Sequence, residues 1–129
     1  MSNPSTPTLS VADVIADLLA QTLPACTPAL AQRLERAAVI ATTPYAIHAG
    51  CTGTAVHCLT DWATVYLVSE DGCCTCPDFT NRGGPCKHRL AVDLLSRATA
   101  ERNRRQRARD FGARWELTEA GELALSALA

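Results

Sequence analysis

The eighteen residues from Cys73 to Leu90 constrain this chain more than any other stretch: Cys73-Cys74-Thr75-Cys76-Pro77-Asp78-Phe79-Thr80-Asn81-Arg82-Gly83-Gly84-Pro85-Cys86-Lys87-His88-Arg89-Leu90. They contain Cys74-x-Cys76, nine intervening residues, and Cys86-x-His88. Three thiols and one imidazole make a complete tetrahedral set for zinc. Thiolate and imidazole favour zinc over magnesium or calcium, which take oxygen. The two pairs need different backbones. Residues two apart on an extended chain point to one face, so Cys74 and Cys76 can share a metal while Thr75 points away. Residues two apart on a helix lie roughly 200° apart, so Cys86 and His88 cannot both be well inside one. The spacing predicts a helix starting at about His88, with Cys86 in the turn before it.

Pro77 cannot donate to a sheet and ends the strand after Cys76. Gly83-Gly84-Pro85 permits a sharp reversal and restricts the approach to Cys86. Cys73-x-x-Cys76 is also a plausible pair, although alternation turns Cys73 to the other face. The wording Cys-Thr-Cys-Pro-Asp-Phe, followed by Pro-Cys-Lys-His-Arg-Leu-Ala-Val, resembles the SWIM-type zinc finger, whose pattern is Cys-x-Cys, a variable loop and Cys-x-His. The resemblance covers about residues 60–95 and favours Cys74 over Cys73. It implies binding to DNA or to protein partners. With four protein ligands the metal keeps no open position for water, so a single structural zinc on Cys74, Cys76, Cys86 and His88 is expected and no enzyme.

The remaining composition fits that reading. Seven cysteines, four of them in 73–86, point to metal binding in a reducing, cytoplasmic setting rather than to a disulfide framework. Aromatics are 5% of the 129 residues, so the apolar core should be small and helped by a metal. No apolar run reaches the roughly 18 residues of a membrane span, and the start lacks the features of a signal peptide. No Gly-rich phosphate loop, carboxylate pair or nucleophile–base arrangement points to a small-molecule substrate.

The pattern predicts an α+β fold: two N-terminal helices, a small antiparallel sheet of about four strands and a zinc-anchored C-terminal helix. Residues 1–8 are expected to be disordered, 9–98 to form one domain, and 99–129 to be a basic helical extension and tail. Ser10-Val11-Ala12-Asp13 reads as a capping box with Leu9 and Val14 as its staple. Thr27-Pro28 opens a second helix that stops before Pro44. Both helices are expected to pack on the sheet. Strands are expected at Tyr45–Cys51, Thr54–Leu59 and Thr64–Ser69. Asp71-Gly72 then turns the chain into a fourth strand, Cys73–Cys76. Ala91, Leu94, Leu95 and Ala98 form the stripe of the last helix. Residues 99–110 are polar all round, and a helix there should be exposed. Phe111, Trp115 and Leu117 follow as apolar anchors, and Thr118 could cap a short final helix carrying Leu123, Leu125 and Leu128.

Charge supplies the clue to a partner. The net charge is −1, yet residues 82–114 hold ten Lys/Arg against three Asp/Glu. Such polarity can steer a chain onto phosphates. The candidate nucleic-acid contacts are Arg82, Lys87, Arg89, Arg97, Arg102, Arg104, Arg105, Arg107 and Arg109. Arg82, Lys87 and Arg89 could instead balance the −1 charge of a Cys3His zinc centre, and the rest could be a solvated helix. DNA or another nucleic acid is therefore one expected partner. A protein met by an adaptor surface is the alternative.

Overall fold

A computed structural model describes residues 8–82 and 84–118, with side chains to residue 112. Expectations for residues 1–7, for the side chains of Trp115 and Leu117, and for a helix beyond Thr118 lie outside the described residues. In chain order the elements are helices α1 (Val11–Thr22) and α2 (Pro28–Thr42), strands β1 (Ile47–Ala49), β2 (Thr54–Cys58) and β3 (Asp61–Val68), then helices α3 (Pro77–Arg82) and α4 (Lys87–Thr118). A 3-10 turn, Leu23–Ala25, joins α1 to α2.

The helix starts follow from their caps. Ser10 Oγ accepts the Asp13 N–H at 3.1 Å, the forward half of the expected box. Thr27 Oγ1 accepts the Leu30 N–H at 3.3 Å, with Pro28 at the first helical position. α2 stops before Pro44, and Tyr45 makes the turn into β1 with φ of 64°.

The sheet is antiparallel, in the order β1-β2-β3. Alternation buries Val56 and Val68 beneath it and leaves His48, Val65 and Leu67 outside. The expected fourth strand is reduced to one bridge, Val68 with Cys74. The Thr75 N–H also donates to the Leu67 carbonyl, and the Leu67 N–H to Thr75 Oγ1. Cys76 then turns into α3, so pairing cannot continue. The Thr60-Asp61 break proved to be the hairpin between β2 and β3, with a bulge after His57.

Two buried clusters hold the molecule together. The first joins Ala37 and Ile40 of α2, Val56 and Val68 of the sheet, Ala91 of α4 and the three clustered cysteines. The second joins Val14 and Ile15 of α1, Ala38 of α2, and Leu94 and Ala98 of α4. No strand residue belongs to it. α2 therefore packs on the sheet as expected, whereas α1 packs on α2 and α4. The reason lies in α4, which is 32 residues and about 48 Å long and overruns the small sheet. Leu94 and Ala98, in its first half, meet α1.

That docking changes the picture of residues 99–110. They continue α4 without a break. Glu101 pairs with Arg104 and Arg105 one turn on, and Gln106 donates to Asp110. Long-range bonds add to these. Arg102 Nε donates to the Leu9 carbonyl at 2.9 Å, and the Leu9 N–H donates to Gln106 Oε1 at 2.8 Å. Arg105 reaches Asp17 of α1 at 2.8 Å. The stretch is thus half covered on one side rather than exposed all round.

Candidate metal centre

Cys74, Cys76, Cys86 and His88 converge, with one ligand atom from each lying within 4.8 Å of all the others. All four side chains are buried, and Cys86 is fully so. Cys74 Sγ lies 3.9 Å from His88 Nδ1. A tetrahedral zinc with bonds of about 2.3 Å to sulfur and 2.0–2.1 Å to nitrogen would set that edge at about 3.6 Å. The donor set, its burial and its spacing fit zinc, with a small contraction.

The two pairs are positioned as their spacing demands. Cys74 and Cys76 flank Thr75, whose bonds to Leu67 hold this short extended segment against β3. Cys73 is exposed on the other side and is absent from the group. Cys86 precedes α4, which starts at Lys87, one residue before the expected position. Leu90 N–H donates to the Cys86 carbonyl at 3.0 Å, closing the first turn.

Cys76 and Cys86 play the same local role, each sitting just ahead of a helix. The Phe79 N–H points at Cys76 Sγ at 3.4 Å, and the Arg89 N–H at Cys86 Sγ at 3.5 Å. In both cases the donor is three residues on, where a capping side chain is normally met. Helix starts and their free N–H groups favour the thiolate, the form that binds metal. The short α3 is therefore part of the site. Sequence reasoning read residues 77–85 as loop, although Pro77 at the first helical position and the Asp78–Arg82 pair were signals for a helix.

Without metal, burial raises the Cys74 and Cys76 thiols, opposed by backbone N–H groups and reinforced by the Cys86 thiol. Burial lowers His88 to about 4, helped by the nearby Lys87 charge. The neutral imidazole that a metal needs is therefore already in place at neutral pH. Tyr66 packs on the His88 ring with centroids 4.6 Å apart, and burial raises its phenol. No local pattern reveals Tyr66, because it reaches the site from β3 across the fold.

The cations expected near the centre and along α4 fall into groups. Arg82 pairs with Asp78, and Arg89 lies 3.8 Å from Asp93. The Arg89 guanidinium also lies over Gly72, in the Asp71-Gly72 turn. Gly72 has φ of +92°, and a Cβ there would come within 2.8 Å of Arg89 Cζ. Arg102 and Arg105 face α1, and Arg104 pairs with Glu101. Lys87, Arg97, Arg107 and Arg109 have no acidic partner among the described residues.

A closed, buried Cys3His centre at the meeting of a strand end and two helix starts defines a structural zinc finger. Residues 58–92 match the family model of the SWIM zinc finger, and the match carries all four ligands. It spans 35 of the 129 residues. No curated protein and no solved structure matches the chain. No helix among the described residues is long and apolar enough to cross a membrane.

Proposed function

We propose that this chain is a non-enzymatic binding module in which zinc fixes the start of α4 and the outward side of α4 contacts the phosphate backbone of DNA. The division of the α4 arginines supports the reading. Arg102 and Arg105 turn inward to α1, whereas Arg97, Arg104 and Arg107 are exposed. At about 100° per residue these three fall within roughly 80° of one another, over about 15 Å of helix. Two of them have no acidic partner among the described residues. The third is held by a surface pair that is worth little and easily exchanged. Backbone phosphate contact with weak sequence preference is the binding mode such a strip suits.

The test is the affinity for a short DNA duplex across a salt series. Each phosphate neutralised adds about 0.9 to the salt slope. Changing Arg97, Arg104 and Arg107 together to Gln should flatten the slope by up to about 2.7 and leave zinc in place. Changing Arg102 and Arg105 should loosen α1 and leave the slope. The second reading, a protein adaptor, draws on the exposed Trp62, Val65 and Leu67 of β3. Absence of DNA binding at low salt would favour it.

A further inference from the structure

The open edge of the sheet at β1 faces a groove that no part of the described chain fills. Ile47, Ala49 and Thr54 form one wall, and six residues of α4 between Val92 and Asn103, Leu95 and Thr99 among them, form the other. Its volume is about 540 Å³. The groove exists because the sheet is too narrow for the helix. β1 has three residues and is the last strand on this side, so Leu95 is only half covered. One more strand beside β1 would lie over it.

The backbone of β1 is turned to receive such a strand. The His57 N–H donates to the Ala46 carbonyl at 2.8 Å, and the Gly50 N–H to the Gly53 carbonyl at 2.7 Å. The carbonyl of Ala46 and the N–H of Gly50 thus point toward the β2 side. In an antiparallel ladder that direction alternates, so Ile47 and Ala49 turn theirs outward. Both residues line the groove, and neither has a bond on that side among the described residues. The two N–H and two carbonyl groups form a ready template for pairing.

We infer that the groove binds an extended, uncharged segment of a partner protein, added as a fourth strand to β1, with small apolar side chains at alternate positions reaching Leu95 and Thr99. This is strand addition, in which main-chain bonds give affinity and alternate side chains give specificity. The charge of the groove selects the occupant. No residue lining it is charged, although arginines crowd the rest of α4. From Val92 to Asn103 the helix wall runs about 16 Å, the length of about five strand residues. The chain's own first seven residues begin nearby, since Leu9 is held by Arg102 and Gln106. They could reach, at about 3.3 Å per residue. They are a poor match because Pro4 and Pro7 lack an N–H, and each removes a bond to β1 in the registers that turn it inward. Arg104 and Arg107 follow Ala100 and Asn103 by one turn, so they adjoin the far end of the groove without lining it; the inference does not depend on DNA binding.

The test is selection of linear random nonapeptides displayed on phage against the zinc-loaded full chain, followed by amide exchange and chemical-shift mapping with the synthesised best binder. Protection at the Ile47 and Ala49 amides is expected. Leu95→Glu should weaken that peptide at least tenfold, and Leu67→Glu on the far strand should not. Zinc content and melting check the fold, and Thr99→Arg, at an exposed position, serves if Leu95→Glu fails to fold. Failure to select a binder, or mapping to another surface, would overturn the inference. Protection already present in the free chain would overturn it too: if lost on deleting residues 1–7 the occupant is the chain itself, and if lost on dilution it is a second copy.

Discussion

Replacing Cys74 by Ser, beside the same change at Cys73, separates two neighbouring thiols that the sequence alone leaves in competition. Cys74 is 6% exposed and 3.9 Å from the His88 nitrogen, whereas Cys73 is exposed and outside the group. A structural zinc contributes about 10–16 kcal/mol in apparent terms, so an equal share for one of four ligands is roughly 3 kcal/mol. A buried hydroxyl without a partner adds about 1–3 kcal/mol. The loss of about 4–6 kcal/mol is a large part of the roughly 5–15 kcal/mol that holds a domain together. At about 4–8 °C per kcal/mol, the melting temperature of Cys74→Ser should fall by at least about 15 °C, with loss of tight zinc. Cys73→Ser changes a surface group and should stay within about 0.5 kcal/mol of wild type with zinc retained. The assay is thermal melting paired with zinc content after dialysis against a mild chelator. A larger loss from Cys73→Ser would assign the Cys73-x-x-Cys76 pair and refute the strand-alternation argument.

Ile15 is 1% exposed in the cluster that joins α1 to α4, so Ile15→Ala should cost about 2–5 kcal/mol by denaturant unfolding and speed amide exchange in α1. Zinc binding should release thiol protons, because Cys74 and Cys76 hold theirs at neutral pH in the metal-free chain. His88, lowered to about 4, should release none between pH 6 and 8. Zinc affinity should therefore rise with pH, and calorimetry in buffers of different ionisation enthalpy counts the protons. Glu101 is lowered to about 2 by hydrogen bonds from Arg104 and Arg105. Its contribution to stability is present above the unfolded value near 4.5 and is lost as pH falls toward 2. An NMR titration of its carboxyl should show the low midpoint, and changing both arginines to Gln should raise it.

The zinc ligands were legible because metal spacing is local. Cys-x-Cys and Cys-x-His each specify a backbone, and Pro77 and Gly83-Gly84-Pro85 mark where it changes. Helix starts at Ser10 and Thr27 were legible for the same reason, since a cap depends on three or four consecutive residues. What failed to show was long-range. Whether α1 lies on the sheet or on α4 depends on how far α4 overruns β1–β3, and no periodicity in Val11–Thr22 contains that. Residues 99–110 lack an apolar stripe, yet Arg102 and Gln106 dock through the backbone of Leu9, a bond type that leaves no mark on hydrophobic pattern. The fourth strand was overread because the Asp71-Gly72 turn is a strong hairpin signal, while the chain turns into α3 at Pro77 after one bridge.

The most direct measurement of the central claim is zinc K-edge X-ray absorption, with elemental analysis, on protein purified without added metal. The account predicts one zinc per chain, bound by three sulfurs at about 2.3 Å and one nitrogen at about 2.0–2.1 Å. Folded protein with stoichiometry near zero, or a shell dominated by oxygen, would contradict it.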